Sequence, residues 1–384
     1  MNFKNLYRIP FCLAILFSGF AEASQSGWTE KLFAPRTQSD SSAFGRAMWI
    51  KNIDPKYDSG NLPIAVHSPL VFQDMVFLGK NDGSLEAYEL SNGRSIWKVK
   101  GLGTYHAGPG IFEDLIIYGT TDGRVYARLW ASGELSYEID LGSPVESAPT
   151  IFNGRAIFHL RNHKIVSLDA KTGKVLWAYQ RSVPFLNTLQ GVSVPLVYEN
   201  KIFVGMADGN IVALSLDDGT ALWERKIVTS AKFVDVDMTP VLVSNSLVIS
   251  GKSGPIHFLN PSNGQIVRTV ESNCSRPPVH LNGFYYVGTQ EGQLQKYDSD
   301  WQKKGELILS RGAITSMKLW NGKLVIGDTK GSLFLVNGEE LSLVESHQLG
   351  HDFSALFGDF EVSGPFLLAL SSRNRLYAFY WKGN

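Results

Sequence analysis

Two carboxylates stand two residues apart in the stretch FVDVDMTP, Phe233 to Pro240. In an extended strand, residues i and i+2 project to one face about 6 to 7 Å apart. That separation suits a pair of glycosidase carboxylates, which stand about 5 to 9.5 Å apart depending on mechanism. It equally suits ion pairing with a basic partner surface. Position argues against catalysis. Asp237 lies three residues before Pro240, and the same offset in similar segments holds Val66, His106, Glu146, Val192 and Ser275, so no catalytic set recurs. Calcium would want about six to eight oxygen ligands from a flexible loop, and two aspartates set among Val234, Val236 and Met238 fall short. Two readings remain: an exposed rim with no partner, or a β-prone, partly apolar, charged segment made for docking on another protein. The composition favours docking.

Other chemistry-bearing residues give weaker patterns. His159 and His163 are four apart, as are His347 and His351, but neither pair has a Cys or acidic companion at zinc-like spacing. No nucleophile elbow, phosphate-cradling loop or zinc-protease helix is present. His67, His106 and Glu146 are the candidates if the molecule were instead an enzyme or a small-ligand sensor built around a central channel. Trp49, Trp97, Trp177 and Trp223 could form a sugar-stacking series, but their recurrence at one structural position points to packing.

The elements that must position these residues are set by internal repetition. DGSLEAYELSNGRSIW from Asp82, DGRVYARLWASGELSY from Asp122, NHKIVSLDAKTGKVLW from Asn162 and DGNIVALSLDDGTALW from Asp208 align without gaps. Weaker copies bring the number of units to eight. The second position of each copy is Gly83, Gly123, His163, Gly209, Gly254, Gly292, Gly331 or Asn374. These are residue types that tolerate positive φ in a hairpin turn. Upstream, Pro69, Pro109, Pro149, Pro195, Pro240 and Pro278 recur at one offset, with Met317 breaking the series.

Each unit therefore reads as four short antiparallel strands. A period of about 40 residues with four strands is that of a β-propeller blade. The expected fold is all-β: an eight-bladed propeller of four-stranded antiparallel blades. The last unit stops before an outer strand, while AMWIKN (47–52) resembles the outer strands SIWKVK and ALWERK. Residues 47–53 are thus expected to complete the last blade, closing the ring and removing an open sheet edge.

Composition bounds the class. The 384 residues are 44% hydrophobic and 19% charged, with 36 basic and 36 acidic side chains, so no net field draws the chain to nucleic acid. Lys4 and Arg8, the apolar IPFCLAILFSGF and the small residues AEAS read as a signal peptide over residues 1–23. The expectation is export to the periplasm, with residues 24–384 as one propeller and no transmembrane segment. Removal of Cys12 would leave Cys274 as the single thiol. Cys12 stands at the start of the apolar run behind Phe11, which argues against a lipid anchor.

The windows of form DGxIxALxxxTGxxxW resemble the PQQ-type repeat, and the eight units, the secretory signal and two local segments are most similar to the BamB-like propellers of outer-membrane β-barrel assembly. FVDVDMTPVLV is similar to that family's acidic segment, and LNTLQGVSVP (186–195) sits where the family has a Leu/Arg loop. The resemblance implies a non-enzymatic scaffold. It would dock through those two loops on a POTRA domain of a BamA-like insertase, with Asp235 and Asp237 as the acidic pair and Leu189 as the matching leucine. Gln190 stands where the family has arginine and Asn187 where it has leucine, implying a differently tuned half of the contact. The family's lipid anchor has no counterpart here, so the partner alone would hold the chain to the membrane. Cofactors are not implied, because quinoprotein dehydrogenases with these repeats use adjacent cysteines and calcium ligands on a longer chain, whereas the mature sequence would keep only Cys274. Service to another envelope complex is the remaining alternative.

Overall fold

The computed structural model describes residues 44, 46–53, 67–181, 192–228, 236, 238–251, 254–274, 276–350 and 354–382. Residues 1–23, read above as a signal peptide, lie outside the described residues.

Eight four-stranded antiparallel sheets follow one another along the chain, and among the described residues there is no helix. Blade 1 comprises Leu70–Phe72, Met75–Gly79, Ser84–Glu89 and Ser95–Lys100. Blades 2 and 3 repeat this order within 110–140 and 150–180. Blade 4 comprises Leu196–Tyr198, Lys201–Gly205, Asn210–Ser215 and Ala221–Lys226; blade 5 comprises Val241–Val243, Ser246–Ser250, Ile256–Leu259 and Ile266–Val270. Blades 6 and 7 occupy 279–308 and 314–348.

Blade 8 is assembled from both ends of the ring. Glu361–Ser363, Phe366–Leu370 and Arg375–Tyr380 are joined by the outer strand Trp49–Asn52. Trp49 pairs with Ala378 and Ile50 with Tyr377. The ring is closed as its sequence requires.

The burial gradient follows from the layout. Second strands such as MVFLG and LIIYG are buried throughout because neighbouring blades cover both faces. Outer strands such as SIWKVK alternate between exposed and half-buried. The cores lie between blades: Leu115, Ile117, Val125 and Ala127 of blade 2 meet Ala156, Phe158, Val166 and Leu168 of blade 3. Each fully buried aliphatic or aromatic side chain there stabilises the seam by about 1.5 to 3 kcal/mol.

Outer-strand aromatics lock each seam. Trp49, Trp97, Tyr137, Trp177 and Trp223 lie against Gly93, Gly133, Gly173, Gly219 and Gly264 of the following blade, where an added Cβ would fall 2.4 to 2.8 Å from the ring. Trp97 Nε1 donates to Trp130 O (3.0 Å), Trp177 Nε1 to Leu216 O (2.9 Å) and Trp223 Nε1 to Pro261 O (3.0 Å). Ring faces and N–H donors are engaged inside the protein, so packing, not sugar stacking, accounts for the series.

The marked turn positions are left-handed at Gly83, Gly123, His163, Gly209, Gly292, Gly331 and Asn374. Gly254 is the exception and does not have positive φ. Blade 7, where Met317 replaces the recurrent proline, differs too. Its inner strand Ile314–Trp320 has seven residues against three in its neighbours, and a register shift falls between Ile314 and Ser316. Without proline, no backbone N–H is missing and the ladder can run further.

Candidate protein-docking site

The connections between consecutive blades are anchored by a buried plug on a glycine that ends the second strand. An added Cβ would come within 2.2 Å of Tyr105 at Gly79 and 2.2 Å of Val145 at Gly119. At Gly205 it would come within 2.3 Å of the Val236 carbonyl oxygen. Tyr105, Val145 and Val236 each lie four residues before the blade's proline and are all buried.

Val236 is 1% exposed and its amide donates to Met206 O at 3.1 Å. Met238 is buried too, and its carbonyl oxygen accepts a bond from Ser193 Oγ at 3.2 Å. Ser193 is fully buried. Its Oγ also accepts the Gly205 amide (3.2 Å), and its carbonyl accepts the His159 Nδ1–H (3.0 Å). Ser193 belongs to the connection into blade 4 and Met238 to the connection into blade 5, so one hydroxyl ties the two together. His159 must be neutral in the tautomer that donates from Nδ1. Burial pushes its pKa down to about 4, against a backbone bond to Ser193 that raises it, and the neighbouring His163 adds to the depression.

Arg181 precedes the first of these segments. Its guanidinium bonds Asp208 (2.7 Å) and Glu224, so its charge is already matched within the ring. The residues expected to touch a partner, Asn187, Leu189, Gln190, Asp235 and Asp237, lie outside the described residues. What the structure brings together is the roots of their two segments.

At the offset shared with Asp237, the described residues His106 and Glu146 carry polar side chains. His106 Nδ1 donates to Glu146 Oε1 at 3.1 Å, and Arg161 also bonds Glu146. Burial alone would raise the Glu146 pKa, but hydrogen bonds from His106 and Arg161 outweigh it and hold the carboxyl below its usual range. An ionised carboxylate held by two donors ties blades 2 and 3 and is poorly suited to act as a general acid. The third channel candidate, His67, is buried, with Nε2–H donating to Gly79 O at 2.8 Å. Burial lowers its pKa to about 4, a backbone bond opposes this, and His106 adds a smaller depression.

His159 and His163 have ring centroids 6.1 Å apart and are both buried, with His163 serving as a turn residue at φ 62°. Among the described residues, no group of three or more His, Cys, Asp or Glu is arranged to hold a metal ion. Cys274 is buried. Desolvation pushes its thiol up to about 12, and Sγ–H donates to Arg276 O at 2.9 Å, so it stays protonated.

Sequence reasoning missed Ser193 and Val236 as anchors. A signal existed: the buried plug recurs four residues before the proline, opposite the glycine that closes MVFLG, LIIYG and KIFVG.

Comparison with known proteins shows the family of the chain. A family profile described as outer membrane protein assembly factor BamB matches residues 81–304, more than half of the chain and inclusive of both connections. Outer membrane protein assembly factor BamB of Yersinia pestis is 27% identical over 244 residues, 61% of each chain, so the chain spans about three fifths of that relative's length. The crystal structure of BamB from Moraxella catarrhalis superposes with a TM-score of 0.74 at 19% identity, covering 88% of this chain and 99% of that one. A europium-containing methanol dehydrogenase gives a TM-score of 0.70 at 12% identity over 87% of this chain and 93% of that one. At such identities the two structures speak to the fold alone.

Proposed function

From the membership of this chain in the family of outer membrane protein assembly factor BamB, we propose that it is a non-enzymatic periplasmic scaffold for outer-membrane protein assembly. It docks on POTRA domains of a BamA-like insertase through the connections into blades 4 and 5. The observation that supports this reading is the hydrogen bond that joins the roots of those connections at Ser193 and Met238, in two segments that the sequence singled out separately. Asp235 and Asp237 supply charge to a basic partner, Leu189 supplies an apolar anchor, and Asn187 and Gln190 tune the contact.

The mechanism is positional. A closed ring with buried seams deforms little, so a flexible array of POTRA domains attached at one point would be held in an orientation that lets nascent barrel strands reach the insertase. No bond is made or broken.

Replacing both aspartates, Asp235→Ala with Asp237→Ala, should weaken binding to the purified POTRA array by about 1 to 3 kcal/mol if they are interface anchors. The melting temperature should stay nearly constant, as for surface substitutions generally. Unchanged affinity in that assay refutes the contact. A quinone-dependent absorbance change after adding quinone and calcium would support the enzymatic reading of the channel instead.

A further inference from the structure

Among the interblade ties, the one at Ser193 has a distinctive chemistry. At the equivalent position of blade 3, Ser147 Oγ accepts the amide of His159 at 2.8 Å, a bond within one blade. Ser193 does the same for Gly205 and, in addition, donates across the seam to Met238 O. Its own carbonyl is held from the other side by His159. The backbone of blade 5's connection is fixed a second time, by Val236 N–H on Met206 O of blade 4. Both bonds run from blade 4 to the two residues that bracket position 237. The His159–Ser193–Met238 line therefore crosses three blades through buried groups.

We propose that Ser193 is a positioning residue for the docking surface: its hydroxyl sets the connection into blade 5 relative to the connection into blade 4, so that contacts made through either depend on both. This rests on the docking reading above. Its physical basis is separate, because the line is buried and no partner can touch it. Removing the hydroxyl leaves the Met238 carbonyl and the Gly205 amide without their partner in a site closed to water, which favours a shifted backbone over an unsatisfied one.

The test is Ser193→Ala in the full exported chain, read by amide exchange and by affinity for the purified POTRA array. The expected result is faster exchange at Val236, whose own acceptor, Met206 O, is untouched by the substitution, together with about a tenfold loss of affinity. Ser193→Thr, which keeps the hydroxyl, should recover most of both. In a double-mutant cycle with Asp235→Ala and Asp237→Ala the losses should be less than additive, because both act on one surface. Unchanged Val236 exchange in Ser193→Ala, with only Gly205 affected, overturns the proposal whatever the affinity does. Faster Val236 exchange without binding by any form, wild type included, upholds the positioning role and refutes the docking reading. If Ser193→Ala does not fold, His159→Leu against His159→Asn, whose amide can replace the ring donor, puts the same question to the other end of the line. Equal Val236 exchange in those two variants then overturns it.

Discussion

The outer seams of the ring and the connections into blades 4 and 5 use opposite strategies to hold neighbouring blades together. At the seams, Trp97, Trp177 and Trp223 each cover a glycine turn of the next blade and donate one N–H to its carbonyl. The same solution recurs with changed residue numbers. At the connections into blades 4 and 5, the Val236 amide bond to Met206 O also recurs, as Val145 to Thr120 O, Ile314 to Thr289 O and Leu356 to Asp328 O, but the Ser193 hydroxyl bond to Met238 O has no counterpart at the same positions among the described residues. Repetition distributes stability around a ring. A non-repeated polar tie marks a place where the path of the backbone matters more than its anchoring energy.

The sharpest way to break the comparison is at a seam. Trp177→Ala removes a side chain that is 8% exposed and packed on Gly219, and should cost about 3 to 5 kcal/mol in a denaturant titration. Affinity for the POTRA array, measured well below the melting point, should change little. A larger loss of affinity than of stability would mean that seams and docking surface are not separable.

Acid probes the buried histidines next. His67 and His159 have folded pKa values near 4, below the ordinary 6.5, so the unfolded chain binds more protons between these values. The stability tied to their neutral forms is therefore full above pH 6.5 and is lost as pH falls from 6.5 towards 4, by up to about 3 kcal/mol for each. Glu146, whose pKa is lowered, adds to the loss in the same direction on acidification. Unfolding followed at pH 7, 5.5 and 4 should show this slope, and His159→Asn should flatten it.

A smaller effect should sharpen the contrast. Gly205→Ala introduces a Cβ at 2.3 Å from the Val236 carbonyl oxygen, and the plug must move. The expected cost is about 1 to 3 kcal/mol, with a disproportionate loss of partner affinity, the reverse of Trp177→Ala. The smallest effect is at Cys274. Its buried thiol, held at about 12, should resist alkylation by iodoacetamide in the folded protein and react only once the ring unfolds.

Much of the fold could be read from the sequence because a propeller writes its architecture many times over. Gly83, Gly123 and Gly209 fix the same turn, and Trp97, Trp177 and Trp223 fix the same seam, so an error at one unit is corrected by the others. Closure by residues 47–53 was legible because AMWIKN resembles an outer strand without a blade of its own, and Trp49–Asn52 fills that place. Single departures were harder to read. Gly254 keeps the residue type of a left-handed turn without its conformation, and Met317 marks a longer strand whose length no repeat could have forecast.

Of the proposed docking site, only the residues expected to touch a partner were legible. Asp235 and Asp237 stand out because charge inside a β-prone run is unusual, and a local resemblance gives them a role. Ser193 does not stand out. A serine before a proline is ordinary in sequence, and its importance arises from a bond to Met238 forty-five residues away. Val236 reads as one more apolar residue until Gly205 is seen beneath its carbonyl. These contacts depend on which residues the fold brings face to face between blades, which a single local stretch does not encode.

Photo-crosslinking in intact cells tests the docking surface most directly. A photoreactive amino acid at Asp237 or Asn187 should yield an adduct with the BamA-like insertase. The same probe at Ile308, 69% exposed on the outer strand of blade 6, should yield none. Adducts from Ile308 in the absence of any from positions 187 and 237 would contradict the account.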